Sequence, residues 1–323
     1  MGEAAWPAAV AVATGLLACL ATRVLIPVLA HRGILDRPNE RSSHRVPTPR
    51  GGGIAVIGSV LLAWVVLARA ESAPSGVFGI ALGAVLLAAV SWLDDLRSLS
   101  PVVRLLAQAA AVALGIFVLP GPRDLFFFTA IGLVWIWWIN LFNFMDGIDG
   151  LAGSEAAAIG AGLLLFASIG AGADPGLRTL AAAVTGAAIG FLVWNWSPAW
   201  IFFGDVGSVP LGYVLGFLLL DLAVRGFWKI ALILPLYFVA DATITLARRL
   251  LRGERVWEAH REHFYHQAVR RGLGHAAVVE RVIAADLVLI GCSWGSENGW
   301  GSISLAVSAA TVAILLAALA RGF

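Results

Sequence analysis

A polytopic all-α membrane bundle is the fold class this 323-residue sequence predicts, and three observations predict it. Hydrophobic residues make up 60% of the chain and charged residues only 13%, about half of the roughly 25% usual in soluble domains. Mean hydropathy is +0.88. Apolar runs of about 18 residues or more, the length a helix needs to cross a bilayer, recur along the whole chain. This composition excludes a disordered chain, a disulfide scaffold and an ordinary cytosolic enzyme. The net charge of +2 gives no footprint for nucleic acid. Cys19 and Cys292 sit in apolar runs, where a thiol packs as a small hydrophobe.

Eleven spans are predicted, at about 4–30, 51–69, 76–93, 102–119, 125–142, 156–172, 178–195, 207–224, 228–247, 282–295 and 302–320. The tenth is short and carries Asp286, so the expected number is ten or eleven. The first run has no basic segment before it and continues past Arg23 to Ala30, which reads as a retained span rather than a cleaved leader. Residues 1–323 therefore read as one membrane domain.

Orientation follows from the basic residues. If loops alternate sides, residues 31–50, 94–101, 143–155, 196–206 and 248–281 share one face with the C-terminus. That face carries 16 of the 22 Lys and Arg residues, and the positive-inside rule makes it cytoplasmic. The N-terminus then lies outside. Trp135, Trp137, Trp138, Trp194, Trp196 and Trp200 near span ends are expected to form an interfacial belt. All six histidines lie on the basic face, in the first and last long loops. A transporter gathers polar groups at mid-depth, whereas this chain gathers them at one mouth, which points to a cytoplasmic-face active site.

Five motifs carry chemistry. The first, Ser91 to Arg97, places Asp94 and Asp95 side by side at a span end, where two carboxylates repel unless a cation compensates them; an interfacial stop signal is the plainer alternative. In the second, Asn140, Asn143, Asp146 and Asp149 recur every third residue, a polar strip if the span continues helically, while Gly147, Gly150 and Gly153 admit close approach. A capped turn would also use these residues. The third, Phe202 to Ser208, offers the Asp205 carboxylate, glycines and free N–H donors at a helix start, suited to a metal or a phosphate, or to ordinary capping. The fourth sets His260, His263 and His266 at three-residue spacing around Arg261, better suited to a diphosphate than to zinc, since no cysteine or HExxH pattern accompanies them. Lipid headgroup contact would explain only its charge. The fifth, Ser43 to Gly53, leads basic residues and three glycines into a helix, either a phosphate contact or a rigid lead-in with a hinge. Gly186-x-x-x-Gly190 and Gly212-x-x-x-Gly216 read as packing faces, and Asp221, Asp241 and Asp286 are ionisable residues in or near spans.

Taken in order, PTPRGGG, SWLDDLRSL, NLFNFMDGIDGLAG, FFGDVGS and HREHFYH resemble the polyprenyl-phosphate N-acetylhexosamine-1-phosphate transferases over essentially the whole chain. The resemblance implies transfer of a sugar 1-phosphate from a UDP-N-acetylamino sugar to undecaprenyl phosphate with release of UMP. It also implies Mg²⁺, with Mn²⁺ as an alternative, and a multi-pass protein of the bacterial inner membrane, with a periplasmic N-terminus and a cytoplasmic C-terminus. Membrane lipids and a second copy in a homodimer are the other partners it implies. By the same resemblance Asp94, Asp95 and Asp146 are catalytic, and Asp95, Asp146 and Asp205 hold the metal. Asn143, Asp149, Phe202 and Gly204 hold nucleotide and sugar. His260, Arg261 and His263 fall at the family's histidine-rich loop and, with His44, Arg45, Thr48 and Arg50 of the fifth motif, are expected to hold the diphosphate and the lipid phosphate.

Two departures bear on subgroup. Leu96-Arg97-Ser98 follows the aspartate pair where the muramoyl-pentapeptide enzymes usually carry a nearby lysine, and the late histidines are spaced rather than consecutive. That form looks most like the initiators of O-antigen and other surface polysaccharides. The competing readings are the muramoyl-pentapeptide transferase of peptidoglycan synthesis and, in a different class, a transporter or flippase of lipid-linked sugars.

Overall fold

The computed structural model describes residues 5–38, 46–70, 76–169, 175–256 and 260–322. It is an all-α polytopic bundle with one short two-stranded ribbon. The helices are α1 (Ala5–His31), α2 (Gly53–Arg69), α3 (Val77–Arg97), α4 (Pro101–Ile116), α5 (Leu125–Phe144), α6 (Leu151–Ile169), α7 (Pro175–Asn195) and α8 (Asp205–Leu222). After a π-helical stretch (Ala223–Phe227) come α9 (Trp228–Ile233), α10 (Leu236–Leu251), α11 (Phe264–Arg270), α12 (His275–Ser296) and α13 (Gly301–Arg321). The ribbon pairs β1 (Leu35–Asp36) antiparallel with β2 (Thr48–Pro49), Leu35 facing Pro49.

Each predicted span coincides with helix, and seven helical stretches of the described residues are both long and apolar enough to cross a membrane. The exceptions have local causes. Residues Gly53–Arg69 and Pro101–Ile116 are apolar but shorter. The ninth span is broken at Pro235, which has no N–H to donate and separates α9 from α10, while Gly226, at φ 102°, lies in the π-helical stretch before α9. The tenth begins earlier than predicted, because residues assigned to the cytoplasmic loop continue as the first two turns of α12.

Small residues set the closest helix contacts. A Cβ on Gly186 would stand 2.0 Å from the Ala11 carbonyl oxygen, and one on Gly190 2.0 Å from that of Gly15, so α1 and α7 meet backbone to backbone. The Gly186 and Gly212 motifs are packing faces, as their spacing suggested. α8 is the buried central helix: Gly212 and Gly216 admit Ile139, Trp135 and Trp138 of α5. The Trp135 indole donates to the Tyr213 carbonyl (3.0 Å) and that of Trp138 to Gly212 (2.9 Å), with Trp135 stacked on Tyr213. The predicted interfacial belt is therefore corrected for Trp135 and Trp138, which lie in the core. Each buried indole N–H meets a main-chain acceptor there, so the polar edge needs no water.

Candidate active site

The site is assembled from main chain before any side chain enters. The Phe202 N–H donates to the Pro49 carbonyl (2.9 Å), and the Phe202 carbonyl accepts from Gly51 (3.2 Å) and Gly52 (2.9 Å). This zips the segment before α2 to the segment before α8. Gly53 and Gly207 then touch so closely that a Cβ on Gly53 would fall 2.0 Å from the Gly207 Cα. Gly204 turns the chain with φ 72°, and a Cβ there would meet Asp95 Oδ2 at 2.9 Å. Two sequence motifs about 150 residues apart thus form one platform at the start of α8.

Asp95 is the keystone of that platform. Its Oδ1 accepts the Asp205 N–H (3.1 Å) and its Oδ2 the Val206 N–H (3.0 Å), the unsatisfied donors of the α8 N-terminus. The Arg50 guanidinium also donates to it, and stands 3.8 Å from Asp205. Asp95, expected among the metal-facing carboxylates, has both oxygens engaged by these donors. Asp94 faces a pocket instead and pairs with Arg104 (3.3 Å). The pocket is lined by Asp94, Arg104, Gln108, Asn140, Asn143 and Asp205, with Leu87, Val90 and Val209 on its apolar side.

The predicted polar strip does not continue as a helix. α5 ends at Phe144, and its four members fan out to separate partners. Asn140 bonds the Gln108 amide within the pocket (2.7 Å), and Asn143 accepts from the Ser208 hydroxyl. Asp146 joins the aspartate cluster, where burial and the charges of Asp205 and Asp95 push its carboxyl well above the usual range against the pull of Arg50. Asp149 turns away to His275 (3.2 Å) and the Ala199 N–H (3.2 Å). Burial raises the Asp149 carboxyl, but the His275 bond and charge, Ala199 and Ser197 outweigh it and hold it below its ordinary value.

The histidine motif is not one helical flank either. His263 stands at the position just before α11 without a side-chain bond to that helix, and His260 lies further upstream. Asp241 of α10 organises the loop: its Oδ1 lies 3.0 Å from His263 Nδ1 and accepts the Phe264 N–H (3.1 Å). Tyr265 reaches across to the Phe144 carbonyl (3.0 Å), against Gly147, where a Cβ would collide with its hydroxyl at 2.2 Å. The loop is thus docked beside Asp146. Burial and neighbouring positive groups lower His260 to about 4 and His266 to about 2, so both rings are neutral near pH 7. Arg261 is half-buried next to His266. Thr48 is buried and its hydroxyl bonds the nearby Val46 carbonyl (3.0 Å). His44 and Arg45 lie outside the described residues.

Among the described residues, the cluster of Asp94, Asp95, Asp146 and Asp205 faces the guanidinium groups of Arg50 and Arg104, an excess of carboxylates, which are hard oxygen donors. That donor set fits Mg²⁺ rather than a soft metal. Among the described residues no three histidine, cysteine or carboxylate side chains converge closely enough to ligate one ion directly. Coordination that keeps several waters, which Mg²⁺ favours, suits this spacing. Sequence reasoning missed Arg104, Gln108 and His275, and it named Ser208 only as the end of the third motif. Arg104 and Gln108 had a signal, polar residues four apart in an otherwise apolar span; His275 had none beyond residue type.

The chain is similar in sequence to known proteins. The model of glycosyl transferase family 4 matches residues 77–223, which include both aspartate motifs and the α8 platform. A probable undecaprenyl-phosphate N-acetylglucosaminyl 1-phosphate transferase of Bacillus subtilis is 28% identical over 260 residues, 75% of this chain and 72% of that protein. A phospho-N-acetylmuramoyl-pentapeptide-transferase of Mycolicibacterium vanbaalenii is 30% identical over 349 aligned positions, 89% of this chain and 94% of its own. One from Corynebacterium diphtheriae is 34% identical over 220 residues, 63% and 57% of the two chains.

Proposed function

This chain belongs to the polyprenyl-phosphate hexosamine-1-phosphate transferases of glycosyl transferase family 4, and from that premise we propose that it transfers a sugar 1-phosphate from a UDP-N-acetylamino sugar to undecaprenyl phosphate, releasing UMP. The observation that carries the reading is the meeting of four aspartates, from three separate segments, beside a pocket that is polar on one wall and apolar on the other. A lipid phosphate needs both walls.

The residues divide the work. Asp95 fixes Arg50 and the α8 N-terminus in place. Arg50 holds a donor phosphate while also restraining Asp205. Asp94, at the pocket wall, positions or deprotonates the attacking lipid phosphate, with Arg104 steadying it. Asp94, Asp146 and Asp205 are the carboxylates that would hold Mg²⁺, which supplies neutralisation of the diphosphate and the departing UMP. Asp149, set by His275, and the Phe202–Gly204 segment bind the nucleotide, and Asn143 faces the sugar side of the pocket. The acceptor phosphate is largely a dianion at neutral pH, with a second pKa near 6, so positioning and charge balance dominate over base strength.

The basic face is cytoplasmic in this reading, with the N-terminus periplasmic, and the product starts a surface polysaccharide of the O-antigen type. Spaced histidines and the absence of a lysine directly after Asp95 favour that subgroup. The muramoyl-pentapeptide donor is the second reading, favoured by the 30% identity that runs through 89% of this chain. Presenting UDP-GlcNAc and UDP-MurNAc-pentapeptide in parallel to purified protein, and extracting the lipid product into butanol, separates them. Label in the lipid from UDP-GlcNAc supports the first reading, and label only from the pentapeptide donor replaces it with the second.

A further inference from the structure

Glu155 and Asp286 lie apart from the site above. Glu155 is fully buried one turn into α6, and Asp286 is buried three turns into α12, the two helices packing together. Asp286 is the charged group that acts on Glu155, and among the described residues no cation acts on either. The buried Tyr237 of α10 lies in the field of both. All four carboxylate oxygens are buried without a hydrogen-bond partner among the described residues, and the pair does not bond to itself. Other buried aspartates are provided for: Asp94 has Arg104, Asp95 has Arg50, Asp221 has Arg225, and Asp241 has His263 with two main-chain donors.

We propose that Glu155 and Asp286 form a cation site inside the membrane domain, taking a small hard monovalent ion for which Na⁺ is the probe. Two buried, unpartnered carboxylates on packed helices in a low-dielectric interior require compensation. A proton would satisfy one oxygen and leave the others without a donor, and it cannot bridge carboxylates that are out of hydrogen-bonding reach of each other. A cation engages oxygens of both side chains together. The donor set is oxygen only, which disfavours zinc and copper, and Mg²⁺ demands near-octahedral geometry and gives up its water reluctantly. A monovalent ion accepts irregular coordination at a smaller dehydration penalty.

The position gives the ion a consequence. α6 begins two residues after Asp149, and α12 begins at His275, the partner of Asp149. An ion held by Glu155 and Asp286 joins these two helices, one turn into α6 and three turns into α12 from that contact. The ion is structural here and enters no step of the transfer.

The test uses the full-length protein in detergent. Melting temperature is followed while NaCl replaces choline chloride at constant ionic strength. A saturable rise of several degrees in Na⁺ is expected for the wild type by mass action, and its disappearance in Glu155→Gln and Asp286→Asn. Because those variants could fail to fold, the wild type is also treated with dicyclohexylcarbodiimide, which labels buried carboxyls, and the labelled peptides are read by mass spectrometry. Labelling of Glu155 or Asp286 slowed several-fold by Na⁺ but not by choline supports the site. A melting temperature indifferent to the cation, a Na⁺ increment that survives in the variants, or no protection of either carboxyl overturns it.

Discussion

Asp241 and His263 are joined by a 3.0 Å contact between Oδ1 and Nδ1, with both side chains buried, although 22 residues separate them and one sits in α10 and the other at the start of α11. The same carboxylate accepts the Phe264 and Tyr265 N–H groups, so one aspartate fixes the whole histidine loop against Gly147 and Asp146. Replacing Asp241 by Leu takes away the carboxylate that five buried groups bond, namely His263, the Phe264 and Tyr265 N–H groups and the Tyr237 and Thr245 hydroxyls, a loss of about 1–3 kcal/mol for each group left unsatisfied. Thermal unfolding in detergent is expected to show a melting point lower by many degrees, and activity is expected to fall with it. Asp241→Asn keeps one acceptor oxygen and should lose less of both.

Asp95 and Asp205 sit side by side yet answer differently to substitution. Asp95→Ala removes the acceptor for Arg50 and for two helix N–H groups. It should destabilise by about 2–3 kcal/mol, below the roughly 3–5 of a fully enclosed ion pair because the Arg50 side chain is 33% exposed. Asp205→Asn leaves those bonds intact and should keep the melting point while lowering turnover about 10²-fold or more. Equal destabilisation by both changes would remove the distinction between anchor and reactive carboxylate.

Glycine positions make a sharp steric test. Gly53→Ala drives a methyl into the Gly207 backbone, and overpacking of this kind typically costs about 1–3 kcal/mol. Gly58→Ala, five residues along the same helix, meets nothing within 4 Å and should leave stability unchanged or raise it by up to about 1 kcal/mol through helix propensity. Comparing the two melting points separates packing of the platform from helix propensity.

Acid should weaken the fold through the histidine loop. His260 and His266 have pKa values of about 4 and about 2 in the folded chain against 6.5 when unfolded. Between pH 6.5 and about 4 the unfolded chain therefore binds more protons, so stability falls as pH falls through that window. His266→Gln should flatten the dependence of melting temperature on pH there, while an unchanged slope would place the acid sensitivity in other groups.

Much of this was legible in the sequence, and the misses share one cause. Helix positions followed from apolar runs, since a bilayer leaves little alternative for the backbone. The aspartates were found because paired or regularly spaced carboxylates in an apolar chain demand a reason. Destinations were not legible. Asn140, Asn143, Asp146 and Asp149 read as one strip, yet α5 stops at Phe144 and sends each to a different partner. Trp135 and Trp138 read as interfacial because they stand near a span end; only the glycines of α8 reveal the slot that receives them. Arg50 was singled out as a phosphate ligand, but its pairing with Asp95 depends on main-chain bonds to Phe202 that no local pattern encodes.

The central claim is that the aspartate platform carries sugar-1-phosphate transfer to a polyprenyl phosphate. UMP release by purified protein with undecaprenyl phosphate and a panel of UDP-N-acetylamino sugars, together with UDP-MurNAc-pentapeptide, tests it most directly. The account predicts UMP release with one donor in the presence of Mg²⁺, abolished by EDTA and by Asp205→Asn in protein that still melts like the wild type. UMP release that persists undiminished in folded Asp205→Asn, or none from folded wild type with any donor on the panel, would contradict it.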